Sequence, residues 1–371
     1  MYALSVPLSA VQTSGAMRIL IDAYWWVEGP LSNRQVMREF VFAWASVFPA
    51  DELILAVPRR HRGLATADVP PGVELVTTRL RPHGVAAILE TNRLAKRSGA
   101  HLALNQNFAP LRGRSAVFLH DVLFQTNPEW FTRAERAYFA LMPLFAPRAG
   151  AVLTSTHNEA ERIQKHNPKI TNVVPVGLAV GSELLEVPPA QPSKAMGRPR
   201  YMLSVGRLNV RKNLAFTFSA ALESGVVSPE LPLLVVGEHD GVGVGLDSNV
   251  RAAVDDGSIV FLGQVTTGEL KWLYQNARLF VFLSLDEGFG LPPLEALSFG
   301  CPVLVSDIPV FHETLGPEAS YTDPYDLPSA AEAIARCLKP AAGRPDIKPA
   351  QLPTWTGCVT RLREAVAALL E

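Results

Sequence analysis

The sequence predicts an α/β chain built of two parallel-sheet domains, and three observations carry that prediction. At 371 residues the chain is too long for one hydrophobic core, and two domains of roughly 150 to 200 residues are the natural division. Short apolar, β-rich runs alternate with helix-period segments throughout, the pattern of parallel sheets covered by helices on both faces. The alternation breaks at VPPAQPSKAMGRPR, 187–200, where proline, glycine and basic residues read as an interdomain linker.

In the first half, strands are expected at RILIDAY (18–24), ELILAV (52–57), HLALN (101–105), SAVFL (115–119) and AVLTS (151–155). A strongly apolar first helix is expected from Arg34 to Phe48, and T-x-x-E at Thr156–Glu159 has the form of a capping box opening another. In the second half, strands are expected at YMLSVG (201–206), LPLLVVG (231–237), SIVFLG (258–263), LFVFLS (279–284) and PVLVS (302–306). The domains are then 18–186 and 200–354, with 187–199 between them. Val359, Leu362, Val366 and Leu369 form a helical apolar stripe near the C-terminus that must bury against its own domain or the first one. Residues 1–17 lack a basic n-region and a continuous apolar core, so they read as a disordered extension, or Met17 is the start.

Composition narrows the function. Apolar residues make up 48% and charged residues 19%, as in ordinary globular proteins, and the net charge of −1 gives no general pull toward nucleic acid. The charge is uneven: residues 1–190 hold 19 Lys and Arg against 15 Asp and Glu. The basic residues cluster at Arg59, Arg60 and Arg62, at Arg79 and Arg81, and at Arg93, Lys96 and Arg97. Such clusters are either a solvated face or a patch meeting an anionic membrane. Cys301, Cys337 and Cys358 fit no disulfide or metal spacing, which suits a reducing cytoplasm, and no apolar run is long enough to span a bilayer. No metal-binding cluster is visible.

The chemistry concentrates in SLDEGFGLPPLEALSFGCPVLVS, 284–306. A strand ends at Ser284, Pro292 is placed as the first helical residue, and Gly300 sits where a left-handed cap belongs. Glu295 would then lie in the first helical turn and Glu287 in the loop ahead, both facing the crevice at the carboxyl ends of the strands. Gly288 belongs to that loop, and the N–H groups of Phe289, Gly290 and Leu291, with the helix dipole, would favour an anion. In GRLNVRKN, 206–213, Arg207 and Lys212 offer cations for a diphosphate. Phosphate flanked by two carboxylates that bind hydroxyls describes a nucleotide sugar. GVGVG, 241–245, is not a dinucleotide fingerprint, because Leu246 stands where the third glycine would be.

In these residues the second half resembles the GT4 family of retaining glycosyltransferases. EGFGLPPLE matches its E-x7-E motif and GR…KN its phosphate-binding segment. FLGQV (261–265), LYQNARLFVFLS (273–284), GCPVLVSD (300–307) and HETLG (312–316) follow in the family's order. FLHDVLFQTNPEWFT (118–132) is similar, more loosely, to the family's His-Asp segment. RILIDAYW resembles its opening strand, and WTGCVTRLREA its last helix, which crosses back onto the first domain. The resemblance covers roughly residues 18 to 371. Two departures are a single Gly29 where the family often has a glycine-rich loop, and Pro175-Val176-Gly177 in place of Pro-Asn-Gly.

The resemblance implies the GT-B fold, two Rossmann-like domains facing across a cleft, with 355–371 packed on the first. It implies a metal-independent hexosyltransferase with no cofactor. The donor would be a nucleotide-diphosphate sugar, with a lean to GDP-mannose, and the acceptor a glycan or lipid-linked saccharide at the cytoplasmic membrane face. Glu287 would bind the donor sugar, Glu295 the ribose, Arg207 and Lys212 the diphosphate, and His120 would lie near the transferred sugar with Asp121 orienting its loop. Gly263, Gln264 and Val265 would meet the base through backbone, and Gly29 the acceptor side. The competing readings are a catalytically silent nucleotide-sugar-binding partner subunit, which slow donor hydrolysis would exclude, and a sugar-nucleotide epimerase or a phosphorylase of the same fold.

Overall fold

The computed structural model describes residues 15–206, 209–237, 247–339 and 352–371. Arg207 and the GVGVG stretch lie outside the described residues. Two wholly parallel sheets are present among those described, with helices between most consecutive strands and a loop joining β4 to β5. The first has the order β3-β2-β1-β4-β5-β6-β7: β1 (Arg18–Asp22), β2 (Glu52–Pro58), β3 (Glu74–Thr78), β4 (Leu102–Gln106), β5 (Ser115–Phe118), β6 (Ala151–Thr154) and β7 (Val173–Pro175). The second has the order β10-β9-β8-β11-β12-β13: β8 (Met202–Val205), β9 (Leu233–Val236), β10 (Ile259–Gly263), β11 (Leu279–Phe282), β12 (Val303–Ser306) and β13 (Ser320–Thr322).

The apolar runs form the expected strands because burial on both faces favours continuous Val, Ile and Leu. Three strands escape that logic. β3, β7 and β13 are edge strands; they are short or partly exposed, and they carry Thr77, Thr78, Pro175 and Ser320 in place of an unbroken apolar run.

Each sheet reverses its winding once, and a crevice opens there at the carboxyl ends of the strands. In the first domain the reversal lies between β1 and β4, in the second between β8 and β11. Those two ends face each other through a polar seam. Ser155 and Thr156 donate their hydroxyls to the Gly288 carbonyl at 3.1 and 3.2 Å. Arg162 Nη2 lies 2.6 Å from Asp286 Oδ1. Glu313 accepts from the N–H groups of His157 and Asn158, at the open end of the helix His157–His166.

That helix corrects one expectation. Thr156 caps it, taking the Glu159 N–H at 3.0 Å, but Glu159 does not return the bond. Its buried carboxylate accepts instead from Val122 N–H at 2.8 Å and Arg162 Nη1 at 2.8 Å. The box is half made because this glutamate serves the seam.

Ahead of the second sheet, Val180, Leu184 and Ala195 pack in the second domain's core, and Ala190 N–H bonds Gly268 O at 3.0 Å. The helix Trp355–Ala367 lies on the first domain, against Leu31–Val47. Trp355, Val359, Leu362 and Val366 join that core, and the Trp355 ring meets Phe40 edge-on at 5.2 Å. No helix among the described residues is long and apolar enough to cross a membrane.

One buried charge fixes the returning helix. Asp51 accepts Arg363 Nε at 2.7 Å and Nη2 at 3.0 Å, Trp44 Nε1 at 2.8 Å and Met17 N–H at 2.9 Å. Burial pushes the Asp51 carboxyl up, but these four donors outweigh it and hold the carboxyl below its ordinary range. Asp51→Ala leaves Arg363 buried without its partner, and urea unfolding should show a loss of about 3–5 kcal/mol. The pair's stabilisation is complete above the unfolded aspartate value of about 3.9 and drains as pH falls through the lower folded value. The variant should lack that acid-side decline; an identical decline would assign it elsewhere.

Candidate active site

At the winding reversal of the second sheet, the loop after β8 meets the loop after β11. Asn209 caps the short turn Val210–Lys212 by accepting Lys212 N–H at 2.9 Å, and Leu285 N–H bonds Arg211 O at 2.8 Å. These bonds bring Lys212 Nζ to 2.7 Å from Glu287 Oε1, with the ammonium 4.6 Å above the Phe282 ring. Glu287 is buried and Lys212 largely so, at 13% side-chain exposure. Burial pushes the Glu287 carboxyl up, but the charges of Lys212 and then Arg211 outweigh it and keep it ionised. Burial draws Lys212 down from its ordinary value, with the Glu287 carboxylate opposing.

The same loop then touches the first domain. A Cβ on Gly288 would stand 2.9 Å from the His120 carbonyl and 3.1 Å from Asp121 Cβ, so only glycine lets the two strand ends approach this closely. Gly290, at φ 86°, turns the chain into the helix, and a Cβ there would meet the Phe311 ring at 2.5 Å. Phe289 packs between the two cores, and Leu291 rests on the first.

The helix is Leu291–Ser298, so Glu295 is its fifth residue and begins the second turn, not the first. Helical geometry starts one residue before Pro292 because Gly290 has already made the turn. Pro292 and Pro293 contribute no N–H. Among the described residues, no hydrogen bond takes up the N–H of Phe289, Gly290 or Leu291. Those three donors remain at the positive end of the helix dipole. Glu295 is buried, accepts the Tyr274 hydroxyl at 2.9 Å, and is pushed by burial up to about 6.

His120 follows β5, next to the strand β4 that borders the winding reversal of the first sheet. Gln106, the last residue of β4, donates its amide nitrogen to the Asp22 carbonyl at 3.2 Å and turns its amide oxygen to His120 Nε2 at 3.2 Å. That makes Nε2 the protonated nitrogen and leaves Nδ1 as an acceptor. Burial, with a smaller push from His83, holds His120 down at about 3, so the ring is neutral. Asp22 in turn holds His83, Nε2 to Oδ2, at 2.7 Å. Asp121 accepts Leu123 N–H at 3.2 Å and faces Arg211 at 3.9 Å.

Two cavities flank this centre. One of about 400 Å³ is lined by His120, Asp121, Asn209 and Arg211, with a wall of Trp130 and Phe131. The other, about 1070 Å³, separates the helix Leu31–Val47 from the second domain and includes Val265 and Glu295. The expected residues thus divide between a sugar-sized chamber and an open cleft, with the Lys212–Glu287 pair belonging to the loops between. Gly263 closes β10 at φ 76° and accepts Gly237 N–H at 3.0 Å, ahead of Gln264 and Val265. Gly29 is exposed against Trp25, one residue before Pro30 of the smaller cavity.

Sequence reasoning missed Arg211, Gln106 and the Arg162–Asp286 bridge. Arg211 lay inside the quoted GRLNVRKN, one residue from the lysine that was chosen. Gln106 and the bridge are contacts between distant segments and leave no local signature.

Residues 190–349 match the family model for glycosyl transferases group 1. The O-antigen chain mannosyltransferase RfbU of Salmonella typhimurium is 32% identical over 228 residues, which is 61% of this chain and 61% of that protein. The aligned region thus falls short of two thirds of that relative's length. The GDP-mannose:cellobiosyl-diphosphopolyprenol alpha-mannosyltransferase of Xanthomonas campestris is 25% identical over 315 residues, 74% of this chain and 78% of the relative. Sucrose-phosphate synthase from Thermosynechococcus elongatus shares the fold at a TM-score of 0.64 and 17% identity, covering 96% of this chain and 95% of the other. With the two facing Rossmann-like domains, these matches give the chain the GT-B fold, a second half similar to the glycosyl transferases group 1 model, and a resemblance to bacterial mannosyltransferases.

Proposed function

We propose that the protein transfers mannose from GDP-mannose, with retention of configuration and without a metal ion, to a glycan or lipid-linked saccharide at the cytoplasmic membrane face. The observation that carries this reading is the Lys212–Glu287 pair at the winding reversal, with three N–H donors beside it that are unpaired among the described residues. A diphosphate entering there replaces the Glu287 carboxylate as the partner of Lys212, helped by the N–H groups of Gly290 and Leu291 and, on the motif's terms, by Arg207. Glu287 is released toward the hydroxyls of the sugar and the positive charge that grows at its anomeric carbon. Glu295, held by Tyr274, takes the ribose hydroxyls, with the backbone at 263–265 against the base.

The acceptor occupies the smaller cavity, its sugar against Trp130 and Phe131. Its hydroxyl oxygen bonds to the anomeric carbon on the face from which the diphosphate oxygen leaves, and its proton passes to that leaving phosphate. Neutral His120 is no base in this scheme; its free Nδ1 accepts a hydroxyl of the transferred sugar. Mannose and GDP are favoured by the activities named for the relatives.

Thermal unfolding with GDP, UDP and dTDP, each added without metal, tests the donor class. GDP at about 100 times its dissociation constant should add about 2.7 kcal/mol, and stabilisation by UDP alone would reassign it. Glu287→Gln keeps shape and polarity but removes the charge, so kcat should fall by about 10²–10³ with GDP stabilisation retained; an unchanged kcat would remove Glu287 from the reaction. Ionised Glu295 accepts two hydroxyls and its protonated form accepts them less well. GDP affinity should therefore weaken as pH falls through about 6, and Glu295→Gln should abolish that dependence.

A further inference from the structure

The three basic clusters of the first half come together in the fold. Pro58 and Thr78 are paired at the ends of β2 and β3, so Arg59 and Arg79 leave the sheet side by side. Beyond them a groove of about 760 Å³ is lined by Arg79, Arg93, Lys96, Arg97 and Arg112. All five are exposed, and among the described residues none of them forms an ion pair. The one carboxylate in the groove, Glu90, is turned to the backbone, accepting Arg79 N–H at 2.8 Å and Leu80 N–H at 2.9 Å.

The groove also shows apolar side chains where water should favour polar ones. Leu80 is 39% exposed, Leu89 51% and Leu111 43%, and all three line it. A polyanion such as nucleic acid would need the cations but would leave the leucines in water. A protein partner would bury the leucines, but would have to match unpaired positive charge at five positions. Anionic lipid answers both, with phosphates for the cations and acyl-chain boundary for the leucines.

We propose that this groove docks the protein on an anionic membrane surface, with Leu80, Leu89 and Leu111 entering the headgroup layer and the surrounding arginines and lysine resting on lipid phosphates. The surface rests on the lipid-linked reading of the acceptor for its purpose, but not for its physics. The loop between β4 and β5 links it to the site: Asn107 Oδ1 lies 3.4 Å from His120 N, while Leu111 and Arg112 belong to the groove. Docking would set the acceptor cavity at the level of the lipid headgroups.

Co-sedimentation of the full chain with vesicles tests this, without donor or acceptor, so the result stands apart from the transferase reading. Vesicles of phosphatidylcholine with about a third phosphatidylglycerol should bind the protein, and pure phosphatidylcholine should not. Arg93→Glu with Lys96→Glu and Arg97→Glu should lower apparent affinity by about 100-fold. Leu80→Ser with Leu89→Ser and Leu111→Ser should lower it by about tenfold and remove the binding that survives raised salt. Lys165→Glu with Lys169→Glu, near the opposite edge of the sheet, should bind as the parent does. Every variant should keep the parent's far-UV circular dichroism and cooperative thermal unfolding without ligand, which shows that it is folded. Equal binding to neutral vesicles, or binding unaffected by either groove variant, would overturn the proposal. So would a concentration-dependent dimer that the groove variants abolish, or tight binding to duplex DNA that ignores the leucine changes.

Discussion

A lysine ammonium drawn largely out of water needs a countercharge, and Lys212 finds it in Glu287. Its bond to Glu287 ties the loop after β8 to the loop after β11, and much of the site's order follows from that tie. With Glu287 held, Asp286 is delivered to Arg162 and the Gly288 carbonyl to Ser155 and Thr156. The contact between the domains is thus an extension of the same loop that carries Glu287. A ligand that competes for Lys212 acts on the loop that joins the two halves.

The electrostatics of the two strand ends are opposite in kind. On the second domain, charge is concentrated and compensated: Lys212 and Arg211 keep Glu287 ionised and Glu287 favours the charged form of each, while burial and Arg211 draw Lys212 down. On the first, charge is excluded: His120 is kept neutral, and its proton is assigned by Gln106, itself oriented by the Asp22 carbonyl. A fixed dipole faces a fixed ion pair across the gap.

The first domain reaches this arrangement through elements far from the site. Asp51 anchors Arg363 and so lays the final helix against Leu31–Val47, the helix that forms one wall of the larger cleft. Trp355 adds a bond from its indole to the Val180 carbonyl at 2.9 Å. That carbonyl lies where the chain passes from one core to the other, so the returning helix fastens the crossover.

Continuous apolar runs are legible as strands because burial on both faces demands Val, Ile and Leu regardless of partner, and ten of the described strands stood in the sequence on that ground. The edge strands β3, β7 and β13 did not, since one open side permits Thr, Ser and Pro. The E-x7-E pair with its glycines and prolines was equally legible, because a turn, a helix start and two carboxylates are local facts. Glu295 fell one residue deeper in the helix, into its second turn, because Gly290, and not the proline, sets the helix start. Arg211, Gln106, Arg162 with Asp286, and the meeting of Arg79 with Arg93, Lys96 and Arg97 in one groove were decided by the tertiary structure alone. Each depends on which strand ends become neighbours, and parallel pairing joins residues tens of positions apart that share no local pattern. The sequence by itself determined which residues form strands and which carry charge; the winding of the two sheets decided which charges meet.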